Sequence, residues 1–419
     1  MSESGVSAKR DFARPALATV AEARGAMLAA VTPLGAETAA LAEALGRVLA
    51  TPVIAPRDQP PFAVSEMDGY ALRAAYTPGR LKIIGESAAG HGFAGTCGPG
   101  QAVRISTGAA LPDGADAVVM QEDARRDGDV IEVSQAAPGQ HVRPRAMDFA
   151  AGTLLLEAGR KLDGVALALA AAMGMASLPV ARHPRVAILS GGDELAEPGA
   201  KPGPFQIFDS GTHGLAALIE AWGGKPNRLA LEKDDAAAMA RAAESGLAQS
   251  DLLVVIGGAS VGDHDHARPA LQRLGLELSV QKVALRPGKP TWFGRAGQRP
   301  VLGLPGNPAS ALVCAYLFLR PLLEAMLGRD PNLCVTLRRA RLLEDLLANG
   351  PREHYLRARL SADAQGQAIV RAFEKQDSSL LSVFASANAL IRLPAHAPAI
   401  AVGDLVDVLP LGLSMLDGA

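Results

Sequence analysis

The sequence predicts a multidomain α/β fold, and three observations carry that prediction. Residues 184–330 alternate strand-forming and helix-forming segments, which is typical of a mostly parallel sheet with helices on both faces. Short strand patterns split by Gly, Pro and Asp recur in residues 81–147 and 334–410, which indicates β-rich modules. The proline-rich stretch TPVIAPRDQPPF (51–62) cannot be helical and indicates an extended linker.

These changes of pattern divide the chain into domains, with the first β-rich module inserted into a helical one. The predicted segments are an N-terminal helical and linker domain (18–56), the inserted β-rich domain (57–146), the second part of the linker domain (147–182), a three-layer parallel-sheet α/β domain (183–330) and a C-terminal β domain (334–412).

Helix signals place the first elements. Thr19 and Glu22 have the spacing of a capping box and predict a helix of about three turns over AEARGAMLAAV. Two further Ala/Leu-rich helices are expected over 37–50 and 163–175, and residues 1–16 are expected to form a loose tail. Within the α/β domain, strands are expected over PRVAILS, DLLVVI and PVLGL, with helices between them.

Composition narrows the classes of function. The 419 residues are 49% hydrophobic with a net charge of -2, which argues against broad nucleic-acid or membrane-surface binding, because both need a basic face. Cys97, Cys314 and Cys334 lie far apart without CxxC spacing, which fits a reducing compartment. No signal peptide and no run of about 18 apolar residues occurs. We therefore expect a cytoplasmic protein with no nucleic-acid or membrane partner.

Three strand ends of the α/β region carry unusual loops: LSGGDEL (189–195), IGGASVGDHDH (256–266) and GLPGNPASAL (303–312). Side by side in a parallel sheet, these loops would border one crevice. A single glycine-rich loop is more often an ordinary turn, but three such loops side by side at one sheet edge favour a ligand-binding site. Gly257, Gly258 and Gly262 permit a backbone nest for an anion.

The last of these loops adds a second anion seat. Asn307 and Pro308 are a good N-cap and a good first helical residue, and they predict a helix whose N-terminal amides suit phosphate. Lys282, Arg286 and Lys289 are local cations for an anionic ligand. The patterns GxxxxGK[ST], GxGxxG, GxSxG and HExxH do not occur, so the enzyme classes that they indicate lose support.

The acidic residues in these loops suit a hard cation. Asp263 and Asp265 beside an anion nest fit Mg²⁺, which bridges carboxylates and phosphate oxygens. His264 and His266 alone form a weak zinc site, because structural zinc usually takes four ligands. Asp234 could add a carboxylate; the alternative, a helix N-cap, is equally open and would suit its neighbour Asp235.

Taken together, the motifs closely resemble the MoeA family of molybdenum cofactor biosynthesis, whose animal relative is the C-terminal part of gephyrin. The resemblance rests on an ordered set of stretches from about residue 18 to 410: PPFAVSEMDGYAL, RISTGAALPDGADAVVMQED, RPRAMDF, SGGDEL, GGASVGDHDHARPAL, VALRPGKPTWFG and GLPGNPASAL. It implies an elongated homodimer of four-domain subunits, in which the α/β domain is MogA-like and binds molybdopterin. It also implies an enzyme that takes adenylylated molybdopterin and molybdate, uses Mg²⁺ and releases AMP.

The resemblance also implies functional residues. The predicted catalytic residues are Asp68, Asp148, Glu194, Asp234, Asp265, Lys282 and Arg286, with Asp234 and Asp265 as metal ligands. The predicted substrate-binding residues are Thr107, Gly257, Gly258, Ser260, Gly262, Asp263, Lys289, Pro305, Gly306, Asn307, Pro308, Ser310 and Ser382.

Three positions depart from the family pattern. Arg286 stands where family members usually carry Lys, Gly191 where they carry Thr and Gly211 where they carry Asn. Gly191 and Gly211 lack the polar side chains that the family carries in the predicted crevice. An alternative hypothesis is therefore a binding or scaffold paralogue that holds molybdopterin without turnover. Retention of all five acids favours the enzyme. A third hypothesis is an enzyme that adenylylates molybdopterin. That activity is typical of MogA-like proteins, and the additional domains of this chain argue against it.

Overall fold

The computed structural model describes residues 17–232, 235–257 and 267–412. The chain divides into two compact units, one formed by Met1–Glu37 with Ala181–Ala419 and the other by Thr38–Val180.

The first helix begins as the capping box predicts. Helix α1 spans Val20–Leu28; the Thr19 side chain accepts a hydrogen bond from the Glu22 amide, and the Glu22 carboxylate accepts one from the Thr19 amide. Both donors would otherwise lack partners at a helix N-terminus. The helix buries Val20 and Met27 in the core of its own unit.

The unit 38–180 is built mainly from short strands. Its elements in chain order are β1 (Ala36–Ala40), β2 (Val53–Ile54), β3 (Val64–Ser65), β4 (Gly69–Leu72), β5 (Gly79–Ser87), β6 (Gln101–Ile105), β7 (Ala117–Met120), β8 (Ala124–Asp127), β9 (Val130–Val133), β10 (Val142–Arg143), β11 (Leu154–Leu156), α2 (Gly164–Ala172) and β12 (Ser177–Ala181). Six strands form one sheet in the order β7-β4-β6-β5-β9-β8, as the strand patterns predicted. Helix α2 confirms the helix expected over 163–175, and the Asp163 side chain caps its N-terminus.

The helix expected over residues 37–50 is wrong. Strand β1 pairs with β12, and a single 3₁₀ turn follows at Leu41–Glu43. The Leu41 amide donates to the Ala176 carbonyl and the Gly46 amide to the Leu162 carbonyl, so the backbone is satisfied by distant segments. The helix propensity of an Ala/Leu-rich run is a weak preference that such tertiary pairing overrides.

The α/β part of the second unit follows the predicted alternation. Its elements are β13 (Arg185–Ser190), β14 (Leu195–Ala196), β15 (Ile207–Phe208), α3 (Gly211–Ala221), β16 (Lys225–Arg228), α4 (Ala236–Gln249), β17 (Leu252–Ile256), α5 (Ala267–Arg273), β18 (Leu276–Val280), β19 (Leu285–Arg286), β20 (Trp292–Ala296), β21 (Arg299–Leu304), α6 (Pro308–Cys314) and α7 (Arg320–Met326). The sheet order is β16-β13-β17-β21-β20-β18, in which the first four strands are parallel and β20 is antiparallel to both of its neighbours, β21 and β18.

Both faces of this sheet are buried. Ile188 and Val254 belong to a hydrophobic cluster on one face, and Leu189 and Val255 belong to a separate cluster on the other. Adjacent residues of a strand point to opposite faces, so a strand covered on both sides consists of consecutive apolar residues. The three-layer arrangement predicted from the sequence is confirmed.

The segment Pro308–Met326 joins α6 and α7 through a π-helical stretch, Ala315–Leu319. Among the described residues it is long and apolar enough to cross a membrane, with a mean hydropathy of 1.4, although it contains Arg320 and Glu324. Since 89% of this segment is buried inside the protein, its apolar composition is accounted for by its place in the core.

The C-terminal part contains the third six-stranded sheet of the described residues. Its elements are β22 (Arg338–Leu342), β23 (Glu353–Ala362), β24 (Ala368–Ala372), α8 (Leu381–Ser386), β25 (Ala389–Leu393) and β26 (Leu405–Pro410). The strands of this sheet lie in the order β19-β23-β24-β22-β26-β25. The short strand β19 from the α/β part pairs in parallel with β23 of this sheet, with Arg286 opposite His354. The two parts of this unit are therefore joined by backbone hydrogen bonds beside the carboxyl edge of the α/β sheet.

Candidate active site

A pocket of about 1200 Å³ lies at the carboxyl edge of the parallel strands. Strands β13, β17 and β21 are neighbours, so their carboxyl ends lie side by side at this edge as expected. The predicted site residues that line the pocket are Glu194, Gly257, Arg286, Lys289, Pro305, Gly306, Asn307, Pro308 and Ser310. The predicted residues Asp234, Gly258, Ser260, Gly262, Asp263 and Asp265 lie outside the described residues.

The centre of the pocket is lined by backbone. Gly257 follows β17 with φ +79°, a conformation that favours glycine, and the Gly306 backbone packs next to it, since a Cβ built on Gly306 would make an ordinary contact of 3.5 Å with the Gly257 Cα. Helix α6 begins directly after this contact, with Pro308 at its first position. Free amides at a helix N-terminus attract anions, so this arrangement can seat a phosphate.

Asn307 occupies the predicted N-cap position, but its side chain makes no capping hydrogen bond. Instead, its Nδ2 donates to the Ser378 Oγ at 2.8 Å. This bond ties the anion-binding loop of the α/β part to a loop of the C-terminal sheet. The amide side chain thereby fixes one wall of the pocket, and it leaves the helix amides to other partners.

Three cations also line the pocket: Arg286, Lys289 and Arg352. The pairing of β19 with β23 brings Arg286 beside the C-terminal sheet, where Arg352 donates to the Leu285 carbonyl at 3.3 Å. His354 lies opposite Arg286 in the pairing of β19 with β23, and burial together with the charges of Arg286, Arg352 and Arg357 lowers its pKa to about 4. The histidine is therefore neutral at neutral pH, and this region of the pocket is positively charged.

Lys282 does not line the pocket. Its backbone carbonyl accepts a hydrogen bond from the Ala18 amide, next to the start of α1. Some of the lining residues that the sequence did not predict come from the C-terminal part: Arg352, Ser378 and Ser379 line the pocket, whereas the predicted Ser382 is exposed on α8 and does not.

A buried arginine supports that serine loop. Arg357 is fully buried, and it donates from Nε to the Gln376 Oε1 at 3.1 Å and from Nη1 to the Asp377 carbonyl at 2.7 Å. The Asp377 carboxylate accepts from Ser379, and these hydrogen bonds hold the pKa of Asp377 below its ordinary value. The signal in the sequence was the polar run KQDSS just after a strand.

The acidic wall of the pocket follows β13. Glu194 is exposed to the pocket, and Asp209 lies buried beside it, where it accepts hydrogen bonds from Thr212. The described residues contain no group of three His, Cys, Asp or Glu that could hold a metal ion. Glu232 pairs with Gly191 at this edge, two residues before Asp234 in the sequence. Carboxylates are the ligand type that Mg²⁺ takes, so the residue types fit this ion.

The other predicted acids lie in the unit 38–180. The Asp68 carboxylate accepts from the Thr107 amide at 2.7 Å and from its hydroxyl at 3.2 Å, so these two predicted residues form one exposed cluster. Asp148 is exposed in a turn that Asp58 braces, because the Asp58 carboxylate accepts from Arg145 and from the Ala151 amide. These hydrogen bonds hold the pKa of Asp58 below its usual value.

Three families match consecutive parts of the chain: the MoeA N-terminal region (domain I and II) over residues 18–174, a probable molybdopterin binding domain over 187–325 and the MoeA C-terminal region (domain IV) over 339–411. A molybdopterin molybdenumtransferase from Nostoc sp. is 36% identical over 377 residues, which cover 87% of this chain and 86% of that protein. The chain belongs to the MoeA family. It is therefore a transferase of molybdenum cofactor biosynthesis.

Other MoeA relatives agree. A molybdopterin molybdenumtransferase from Haemophilus influenzae is 34% identical over 94% of this chain and 98% of its own length. The crystal structure of a molybdopterin biosynthesis MoeA protein from Pyrococcus horikoshii has a TM-score of 0.85 and 31% identity, covering 95% of this chain and all of that one. The fold predicted for the chain is confirmed.

The two glycine departures from the MoeA pattern have different consequences here. A Cβ at Gly191 would lie 2.8 Å from the Glu232 carbonyl oxygen, so a side chain there would displace the segment that leads to Asp234. A Cβ at Gly211 would make only an ordinary contact of 3.5 Å with Ile256. The first glycine is required by this backbone, and the second leaves room for a side chain.

Proposed function

We propose that this MoeA protein inserts molybdenum from molybdate into adenylylated molybdopterin and releases AMP in a reaction that depends on Mg²⁺. The observation that carries the proposal is the pairing, within one pocket, of a backbone phosphate seat with a separate group of three cations. The substrate joins a phosphoanhydride to a dithiolene that accepts molybdenum, so its site needs both features. Backbone amides bind the phosphates, and the cations bind molybdate next to the dithiolene.

The phosphates of the substrate are assigned to the seat at Gly257 and the N-terminus of α6. The helix amides and the glycine backbone carry partial positive charge without a titratable group, which suits an anhydride that is to be cleaved. Ser310, in the first turn of this helix, adds a hydroxyl to the pocket.

Molybdate is assigned to the region of Arg286, Lys289 and Arg352. A doubly charged tetrahedral oxyanion is attracted by several cations at once, and a guanidinium can donate two parallel hydrogen bonds to it. Neutral His354, which lies opposite Arg286, adds no charge there. The hydroxyl of Ser378, which accepts a hydrogen bond from Asn307, also lines the pocket.

Mg²⁺ is the proposed cofactor, with Asp234 and Asp265 as its ligands. When bound, it would neutralise charge on the phosphoanhydride oxygens. Glu194 is the described carboxylate that reaches the pocket from the same edge, where it can hold a water or a hydroxyl in place by accepting its proton in a hydrogen bond.

The protein is proposed to act as a homodimer. Asp68, Thr107 and Asp148 belong to one unit and the pocket to the other. The resemblance to the family supports an arrangement in which these three residues of one subunit complete the pocket of its partner. A two-fold dimer would then contain two equivalent sites.

The test is release of AMP. Purified protein is incubated with adenylylated molybdopterin, molybdate and Mg²⁺, and AMP is followed by chromatography beside reactions that lack molybdate, Mg²⁺ or protein. We expect AMP only in the complete reaction, together with molybdenum bound to the pterin. AMP no higher than in the reaction without protein would instead identify a paralogue that holds molybdopterin without turnover.

A further inference from the structure

The segment of residues 195–208, here called the strap, covers one end of the pocket with apolar side chains. Its two ends pair as the parallel strands β14 and β15. The Ile207 amide donates to the Glu194 carbonyl at 2.7 Å, and the Asp209 amide donates to the Ala196 carbonyl at 2.9 Å. The backbone of Ile207 and Phe208 is therefore fixed on both sides next to the acidic wall.

Ile207 and Phe208 line the pocket and yet remain 63% and 47% exposed. Exposed aromatic rings lose the burial that usually stabilises them, and an exposed ring on a hydrogen-bonded backbone in a ligand pocket offers a stacking face. Phe205, on the same strap, is 91% exposed and does not line the pocket. The strap thus contains one aromatic residue inside the pocket and one outside it.

The strap is anchored by a polar cluster in which Asp209 and Thr212 are buried. The Asp209 carboxylate, which directly follows Phe208, accepts hydrogen bonds from the Thr212 amide at 3.1 Å and from the Thr212 hydroxyl. Arg228 donates to Thr212 at 2.8 Å and to Glu197 of the strap at 3.0 Å. A face held in this way is ready before the ligand arrives, so little conformational entropy is lost on binding.

The order of the strap, the phosphate seat and the cations along the sheet edge indicates which part of the substrate lies next to Phe208. The strap follows β13, and the phosphate seat follows β17 and β21. Lys289 precedes β20, and the first residue of β20, Trp292, pairs with Gly303 near the end of β21. Three strand spacings, about 14 Å, separate β13 from β20. The cations and the apolar face therefore lie on opposite sides of the phosphate seat.

We infer that Phe208, together with Ile207, is the stacking face for the purine ring of the substrate's adenylyl group. The inference rests on the proposed function. In adenylylated molybdopterin the phosphoanhydride separates the dithiolene from the adenosine. With the dithiolene directed to the cations and the anhydride at the central seat, the purine extends to the strap. Phe208 is thus a specificity-determining residue for the nucleotide half of the substrate.

The probe is 2-aminopurine riboside 5′-monophosphate, whose fluorescence falls when the base stacks. We expect saturable quenching by the wild-type protein, displaced by AMP and less well by a simple pterin. Phe208→Ala should weaken binding about 5- to 100-fold and reduce the quenching at saturation, because stacking on an aromatic side chain is worth that much per base. Phe208→Trp should retain both, and ribose 5-phosphate should bind Phe208→Ala as it binds wild type.

Phe205→Ala is the matched control, because it removes an equal ring from the same strap outside the pocket. Quenching and affinity unchanged in Phe208→Ala, an equal loss in Phe205→Ala, or stronger displacement by the pterin than by AMP would each overturn the inference. AMP release by a wild-type protein that does not bind the probe would also overturn it and leave the proposed function standing. Probe binding that depends on Phe208 without AMP release would support the stacking face and remove the proposed reaction.

Discussion

At the scale of single residues, Arg286 shows how a departure from the family pattern can preserve chemistry. It lines the pocket beside Lys289 and Arg352, so its charge is one of three. Arg286→Ala should raise the molybdate concentration needed for half-maximal AMP release by about 10- to 100-fold, because a hydrogen bond to a charged group contributes about 1.5–3 kcal/mol. Arg286→Lys should be tolerated, since the charge remains.

The measurement is a molybdate titration of AMP release with binding of AMP as a second readout, which Arg286→Ala should change little. Arg371→Ala removes an exposed arginine of β24 that does not line the pocket and serves as the control. An equal loss in the Ala and Lys variants would show that the planar guanidinium is required for bidentate contact.

The sequence predicted the role of a side chain correctly where its hydrogen-bond partner lies within a few residues of it. Thr19 with Glu22, and Asp235 at the start of α4, act as the caps that their spacing predicted. It fell short for Asn307, whose side chain bonds Ser378, a residue 71 positions away. No local pattern contains that partner.

At the scale of elements, Asp251 holds together the amino ends of three neighbouring strands. Its carboxylate, 4% exposed, accepts two hydrogen bonds from Arg182 and one from the Arg185 amide, and Arg299 lies 3.8 Å away. Burial alone would raise the pKa of Asp251, but these hydrogen bonds and charges outweigh it, so the pKa is lowered. Because the pKa of Asp251 is lower in the folded state, its carboxylate stabilises the fold at any pH above the ordinary pKa of an aspartate. This stabilisation is lost as the pH falls through the pKa of the folded state.

Asp251→Asn should therefore reduce the free energy of unfolding at pH 7 by about 2–3 kcal/mol, since charge-assisted hydrogen bonds are lost and buried donors remain. The difference from wild type should shrink below about pH 4, where the unfolded aspartate becomes protonated. Urea denaturation from pH 3 to 8 measures both effects. A difference that is constant with pH would mean that the carboxylate's charge contributes nothing.

Elements were predictable where hydrophobic periodicity and length agreed, as in the alternating strands and helices from β13 to β21. The failure at 37–50 arose because an Ala/Leu-rich run is compatible with helix, while pairing with β12 depends on a segment more than a hundred residues later. The contribution of Arg352 to the pocket was missed for a related reason: it depends on the register of β19 against β23, which no local pattern reveals.

At the scale of the whole molecule, the proposed homodimer makes a prediction about mixed subunits. Asp68 lies hydrogen-bonded to Thr107 in one unit, whereas Asp265, outside the described residues, belongs to the loop that follows β17 in the other. If one subunit supplies Asp68 to the pocket of its partner, Asp68→Ala and Asp265→Ala homodimers should each be inactive. A mixed dimer of the two contains one site with both aspartates.

Random exchange of equal amounts should make about half of the dimers mixed, each with one intact site of two, so about a quarter of the wild-type AMP release should return. Mixing Asp68→Ala with Thr107→Ala is the matched control, because both changes damage the same half-site and no mixed dimer is intact. Exchange is verified by mass spectrometry of differently tagged subunits. If exchange is complete and activity stays absent in the first mixture, each subunit must supply both aspartates to its own site, and the shared site is wrong.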